Sequence, residues 1–337
     1  MNFQFSQHSK RLFLYIFFIL LFLFHPKMMA EFVSQEDFIN KMVTQHGFEE
    51  FYLTQLLEQA KVRQSIVKLM SRPQRRGKPT PWYRYRRIFL TNERIDGGVN
   101  FWRKYAPDLQ RAQATYGVPP EIITAIIGVE TFYGKITGGY RVIDALTTLS
   151  FHYLRRADFF REELEHFLIL TREEGLDPLT LEGSYAGAMG LGQFMPSSFR
   201  NYAVDFDGDG KRDIWNNYVD AIGSVANYFY RHGWRSGEEI IKATQIRPDA
   251  IENLLSLDFK PKYTLKYMKQ LGLRYHGNQS DNTLAMFLDL ETEQGMAYWV
   301  GFNNYYVITR YNRSKRYATA VYQLSEAIAY RYYGRDR

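Results

Sequence analysis

The chain has 337 residues, 45% of them hydrophobic, which is enough to bury a core in two or three packed units. It contains no cysteine, which excludes disulfides, thiolate metal sites, cysteine nucleophiles and a lipid anchor carried on a cysteine. The formal charge of +7 favours an anionic partner, and an aromatic share of 17%, led by 26 tyrosines, offers flat faces that suit sugar rings as well as core packing.

Lys10 and Arg11 precede an apolar run from Leu12 to Phe24. At about 13 residues it is short of the ~20 that span a bilayer, so 1–30 reads as a signal peptide cleaved after Ala30. Met28 stands where a small residue is expected, which leaves an uncleaved inner-membrane anchor as the alternative. Ser34 and Asp37 predict a capping box, followed by a Phe38, Ile39, Met42 stripe that Gly47 ends. Phe51, Leu53, Leu56 and Leu57, then Ile66, Val67, Leu69 and Met70, continue the helical pattern until Pro73. The basic stretch from Arg72 to Arg87, broken by Pro79 and Pro81, reads as a linker or irregular loop. A helical pattern after Trp102 leads to Gly117-Val118-Pro119-Pro120, which marks a boundary and a fresh start. Tyr298 to Val300 and Tyr305 to Thr309 are β-type runs that predict a small sheet. A helix with Tyr317, Val321, Leu324 and Ile328 on one stripe, capped by Ser314, closes the chain.

The helix predicted from Glu121 to Thr131, with Pro120 in its first turn, carries Ile122, Ile123, Ile126 and Ile127 on one face, and Glu130 occupies the next place on that stripe. A carboxyl put where an apolar residue is due loses water, which raises its pKa and suits it to donate a proton near neutral pH. By periodicity alone, a Glu at a helix end paired with Arg155 or Arg156 fits equally well.

Gly183 to Pro196 packs four glycines among small residues, with Ser184 and Gln193 as polar side chains. Alone it is equally a helix-packing turn. No Walker, GxSxG or HExxH pattern occurs, so phosphate-binding, serine-hydrolase and zinc-protease readings have no support. Asp205, Asp207, Asp209 and Asp213 with Gly210 fill places one, three, five, nine and six of a calcium loop. Place twelve is Asn216 rather than Glu, so either the ion is held weakly or Asp220 reaches it; a solvated acidic turn is the bland reading.

Taken together, GVPPEIITAIIGVET, DALTTLSFHYLRRADFF, GSYAGAMGLGQFMPSSFRNYAVDFDGDGKRDIW, DAIGSVANYF and VITRYN resemble the lytic murein transglycosylase B family, in order from about Phe38 to the last helix. The resemblance implies a mostly α, α+β fold: a goose-lysozyme-like core over 117–240 flanked by a helical domain over 31–116 and a small β domain over 241–309. The segment 310–337 would return to the cleft. It implies cleavage of the bond between N-acetylmuramic acid and N-acetylglucosamine in peptidoglycan without water, in the periplasm, with 1,6-anhydro ends. Glu130 would be the sole acid/base, since a substrate N-acetyl group can replace the second carboxylate of ordinary glycosidases. Ser184, Gln193, Tyr228, Asn312 and Tyr317 would line the cleft, and Arg155 and Arg156 would face substrate carboxylates. Asp205, Asp207, Asp209, Asp220 and the Lys211 carbonyl would hold a structural calcium ion. The implied partners are glycan strands and cell-wall enzyme complexes, with no nucleic acid. A hydrolytic lysozyme and a non-catalytic wall-binding protein are the competing readings. Leu154 departs from the family's common Pro, and the calcium loop is longer than in its best-known member, which bears on Asp220.

Overall fold

The computed structural model describes residues 33–71 and 80–334, so the expected signal segment lies outside the described residues. Among the described residues no helix is long and apolar enough to cross a membrane. The architecture is α+β and mostly α, as the sequence predicts.

Three helices open the chain, α1 (Gln35–His46), α2 (Glu50–Glu58) and α3 (Gln64–Ser71). The Ser34–Asp37 capping box and the left-handed Gly47 that stops α1 are both present. Next come α4 (Trp82–Phe89), α5 (Asn92–Lys104), α6 (Ala106–Tyr116) and α7 (Pro120–Thr131). Helix α4 corrects the expected loop over 82–87, while 72–79 lie outside the described residues. Trp82, Tyr85 and Phe89 recur at helical spacing and touch in sequence, at 6.2 and 5.3 Å between rings, while Arg84, Arg86 and Arg87 face outward.

A short strand β1 (Tyr140–Arg141), α8 (Val142–His152), α9 (Ala157–Glu173) and β2 (Glu182–Gly183) follow, with β1 and β2 antiparallel. Then come α10 (Pro196–Tyr202) and α11 (Tyr218–Arg231). A five-stranded antiparallel sheet comprises β3 (Ile241–Ile246), β4 (Tyr263–Thr264), β5 (Leu273–Arg274), β6 (Leu284–Thr292) and β7 (Gly295–Gly301), in the order β4-β6-β7-β3-β5. It carries α12 (Ile251–Leu255) and α13 (Leu265–Gln270). The chain ends in α14 (Asn303–Tyr311) and α15 (Lys315–Tyr333).

Strand β6 shows why this sheet is hard to read as an alternating pattern: both of its faces are covered. Ala285 and Phe287 pack with α12 and α13, whereas Met286 and Leu288 join the core of the helical body. The run from Tyr305 to Thr309 is helix, not strand. A short stretch of aromatic and β-branched residues does not fix its own period. Burial of Tyr305 and Ile308 on one helical face, with the Tyr305 hydroxyl bonded to Lys315 O and Thr319, decides it.

Two apolar clusters frame the centre. One joins α5, α6, α7, α11, α14 and α15 around Ile122, Ile123, Ile126 and Ile127. The other joins α1, α2 and α3 to α8, α9 and α10. The second is bolted at Asp144, which is fully buried in α8. Its carboxylate accepts from Arg63 Nε and Nη2, Arg141 Nη2 and the Lys61 backbone N–H, at 2.6 to 3.1 Å. Burial alone pushes the Asp144 pKa up, but the bonds from Arg141, Lys61 and Arg63 outweigh it and hold the group below its ordinary value.

Asp144→Ala leaves two guanidinium groups without their buried acceptor, so it is expected to cost about 3 kcal/mol or more in urea unfolding at pH 7. Because the folded pKa lies below the unfolded one, near ~4, this stabilisation is present above that pH and is lost as pH falls through the folded value. The gap between the wild type and Asp144→Ala therefore narrows in acid; a gap that widens there would contradict the assignment.

Candidate active site

Helix α7 begins with Pro120 and is buried along nearly its whole length, so the site is built on a rigid element. It ends abruptly. Phe132 and Tyr133 take left-handed backbone, at φ 52° and 60°, and their N–H groups return to Gly128 and Ile127 carbonyls. Such conformations are costly for residues with a Cβ and persist only where the surroundings enforce them. Here the Tyr133 ring fills the space over Gly128, where any Cβ would meet its hydroxyl at 2.5 Å, and the hydroxyl itself donates to Arg94 O at 2.8 Å.

Glu130 sits just before this stop and is only half-buried as a residue, yet its carboxyl is enclosed by protein. Its hydrogen-bond partner is the Tyr317 hydroxyl, which donates to Oε1 at 2.5 Å. Burial raises the pKa to about 7, with the Tyr317 bond pulling in the opposite direction. No ion pair to Glu130 is present among the described residues, so the alternative of an Arg155 or Arg156 partner is not what is observed. Tyr317 is buried on the first turn of α15, which Ser314 caps as predicted. Burial and the neighbouring carboxyl push its phenol well above the ordinary range, so it stays a proton-bearing donor.

The glycine-rich segment is tied to the end of α7. Thr131 Oγ1 donates to Leu191 O at 2.9 Å, and Gln193 Nε2 donates to Thr137 O and Gly190 O, both at 3.0 Å. Gly190 has φ 67°, and a Cβ there would lie 2.5 Å from Ile214 O, so this position admits only glycine. Gln193 is itself left-handed, at φ 52°. With its amide nitrogen engaged, the group it has left to offer is its carbonyl oxygen. Ser184 Oγ accepts from the Ala186 and Ala188 N–H groups at 3.3 and 3.0 Å, which leaves its own O–H to donate.

The remaining residues singled out from sequence are placed as follows. Tyr228 is buried among Phe194, Tyr202, Tyr311 and His232, and its hydroxyl donates to Arg310 O at 2.7 Å. Asn312 is exposed at the end of α14. Arg155 and Arg156 are exposed on the turn before α9, with the Arg156 guanidinium 4.1 Å from the centre of the Phe159 ring. Sequence reasoning missed Tyr85 and Tyr311, both of which feel the Glu130 charge. The Trp82, Tyr85, Phe89 spacing was the available signal for Tyr85, masked by the prolines before it.

In the acidic loop, carboxylate oxygens of Asp205, Asp207 and Asp209 lie within 4.8 Å of one another. Asp205 accepts from Gly208, Asp209 and Gly210 N–H groups, which folds the loop around it. Lys211 is exposed and donates its N–H to Asp209. Asp220 is fully buried outside this cluster, and its two oxygens accept from Phe206 N–H at 2.7 Å and Asp213 N–H at 2.8 Å.

Ionising an enclosed Glu130 disfavours the folded state, so its raised pKa gives stability that is full below ~4.5 and lost as pH rises through about 7. Screened by the residue's partial exposure, that loss is on the order of 2 kcal/mol. Glu130→Gln is thus expected to raise the urea midpoint at pH 8 and leave it unchanged at pH 4; equal midpoints at pH 8 would contradict an enclosed carboxyl.

Residues 32–326 match the family model described as Transglycosylase SLT domain. The chain is 47% identical over 303 residues to the membrane-bound lytic murein transglycosylase B of Escherichia coli strain K12, covering 88% of this chain and 82% of that protein. The crystal structure of soluble lytic transglycosylase SltB1 from Pseudomonas aeruginosa is similar with a TM-score of 0.83 and 49% identity, over 88% of this chain and 98% of that one. The Escherichia coli lytic transglycosylase Slt35 in complex with calcium is similar with a TM-score of 0.80 and 46% identity, over 88% and 93%. The fold is the lysozyme-like one that the resemblance implied. With a family match across most of its length and relatives close to half identical, the chain belongs to the transglycosylase SLT domain family.

Proposed function

We propose that this chain is a lytic murein transglycosylase that cleaves peptidoglycan between N-acetylmuramic acid and N-acetylglucosamine, with Glu130 as its one acid and base. The observation that carries this reading is the Glu130 carboxyl, poised at about 7 by burial against the Tyr317 hydroxyl bond. Such a group is both a competent donor and a competent acceptor near neutral pH. Protonated Glu130 gives its proton to the glycosidic oxygen as the bond to the muramic anomeric carbon breaks. The carboxylate then takes the proton of the muramic C6 hydroxyl, whose oxygen closes on the anomeric carbon to give a 1,6-anhydro end. One carboxylate suffices because the substrate N-acetyl group stabilises the cationic centre in between.

Ser184 and Gln193 would hold N-acetyl groups and hydroxyls, Asn312 the far edge of the cleft, and Tyr228 its aromatic floor. Arg155 and Arg156 carry guanidinium forks on an exposed turn, suited to lactyl or peptide carboxylates. The chain would act in the periplasm, exported by its N-terminal segment.

We further infer that calcium is held by Asp205, Asp207 and Asp209 with the Lys211 carbonyl. Three carboxylates this close repel one another unless a cation neutralises them, and oxygen-only donors suit a hard ion. Asp220 would act by bracing both ends of the loop through Phe206 and Asp213.

Purified mature chain incubated with peptidoglycan is expected to release muropeptides lighter by one water than the hydrolysis products, and Glu130→Gln to release none while still binding the wall. Reducing ends would mark a hydrolase, and full activity in Glu130→Gln would refute the acid/base role. Activity is expected to decline as pH rises through about 7, as Glu130 loses the proton it must donate. Tyr317→Phe removes the bond that lowers the Glu130 pKa, so it is expected to move this limb to higher pH while reducing the maximal rate. For the ion, chelation is expected to lower the melting temperature by a few degrees and excess calcium to restore it, an effect Asp207→Asn abolishes. A melting curve indifferent to calcium would dismiss the site.

A further inference from the structure

A cavity of about 430 Å³, within the range of small-ligand sites, lies between α4 and the tip of the β6–β7 hairpin. Six of its lining residues define its chemistry: Trp82, Arg86, Arg87, Glu293, Trp299 and Gln323. Trp82 is buried in a small cluster with Leu290 and Ala320 against which Trp299 packs, so two indoles contribute apolar lining. Arg87 is paired with Glu293, which pins the hairpin tip to α4. The guanidinium of Arg86, one place before, forms no ion pair or hydrogen bond among the described residues and is a free cation at the rim. Gln323 Oε1 is buried and has no hydrogen-bond partner. A buried carbonyl oxygen without a donor is destabilising, and in native proteins such an atom calls for an outside N–H or O–H.

We propose that this cavity binds a short acylated peptide that ends in a free carboxylate. The carboxylate meets the Arg86 guanidinium, a peptide N–H donates to Gln323 Oε1, and the small side chains lie across the Trp82 and Trp299 faces. A sugar ring would satisfy Gln323 and stack on the indoles but would leave Arg86 without a counter-charge, which is why the peptide is favoured. The peptide's chemistry follows from the cavity; its source, a stem of the wall polymer, rests on the function proposed above. The place in the fold suits that source. Helix α4 forms one wall of the cavity through Trp82, and its Tyr85, 6.2 Å from the Trp82 ring, feels the Glu130 charge. Gln323 is six residues beyond Tyr317 on α15, about 9 Å along the helix. A peptide hanging from a sugar beside Glu130 would run along α4 from Tyr85 to Trp82, a step within reach of four extended residues, about 13 Å.

The test is a titration of the tryptophan indole N–H signals of the mature chain by nuclear magnetic resonance. The probes are acetyl-alanyl-alanine, its C-terminal amide and N,N′-diacetylchitobiose. The acid is expected to move the Trp82 and Trp299 signals, and the amide to bind about tenfold more weakly, the difference a lost charge-assisted contact makes. Arg86→Gln is expected to bring the acid down to the level of the amide. Gln323→Leu is expected to weaken both peptides without lowering the melting temperature, since it removes the unpaired oxygen. Glu130→Gln is expected to leave the affinities of both peptides unchanged, so failure here and failure of the catalytic reading are separable. Equal binding of acid and amide, shifts of these two indoles by the disaccharide in place of the peptide, or no shift with any probe would each overturn the proposal.

Discussion

A carboxyl withdrawn from water at the end of α7 imposes its terms on much of this molecule. Burial raises the Glu130 pKa, and one donor, the Tyr317 hydroxyl, limits the rise to about 7. That donor comes from the opposite end of the sequence, so the balance exists only while α15 stays docked on α5 and α7. The docking is close. A Cβ on Gly98 would lie 2.5 Å from Ile328, which places that α15 side chain directly on the α5 backbone. Alanines 318 and 320, Val321 and Leu324 are all fully buried in the same helix.

Backbone strain is concentrated at the same place. Phe132, Tyr133 and Gln193 are the described non-glycine residues with left-handed backbone, and all three lie on segments joined to the end of α7. The Thr131 bond to Leu191 and the Gln193 bond to Thr137 make the helix end and the glycine-rich turn one unit. Conformations of this kind hold only where packing over-determines them. Tyr133 over Gly128 and Ile214 against Gly190 supply that packing, so the Glu130 carboxyl and the polar groups of the turn keep fixed relative positions.

The sheet and α4 extend this arrangement outward. Leu290 of β6 and Ala320 of α15 share a small cluster with Trp82, so the β6–β7 hairpin and the last helix hold α4 in place. The Arg316 guanidinium lies over the Tyr85 ring and donates to Thr80 O, which fastens α4 beside the carboxyl. Tyr85 of α4 thus lies within the influence of Glu130, and Trp82, one turn before it, forms a wall of the separate aromatic and basic cavity.

What the sequence determined by itself is what local rules and a long motif match can carry. The α1 capping box, the Gly47 stop, the Ser314 cap and the isoleucine stripe leading to Glu130 each depend on residues within about two helical turns of one another. The family resemblance rests likewise on contiguous words such as GSYAGAMGLGQFMP. The tertiary structure alone decided three things. It made α4 a helix, because Trp82 and Phe89 find partners in β6, β7 and α15 that no local window contains. It made 305–309 helical, because a short apolar run takes its period from what covers it. It also separated the two readings of Glu130: a carboxyl paired with arginine and a carboxyl enclosed beside a tyrosine look alike along the chain. They differ only in which distant side chain arrives, here Tyr317, 187 positions away.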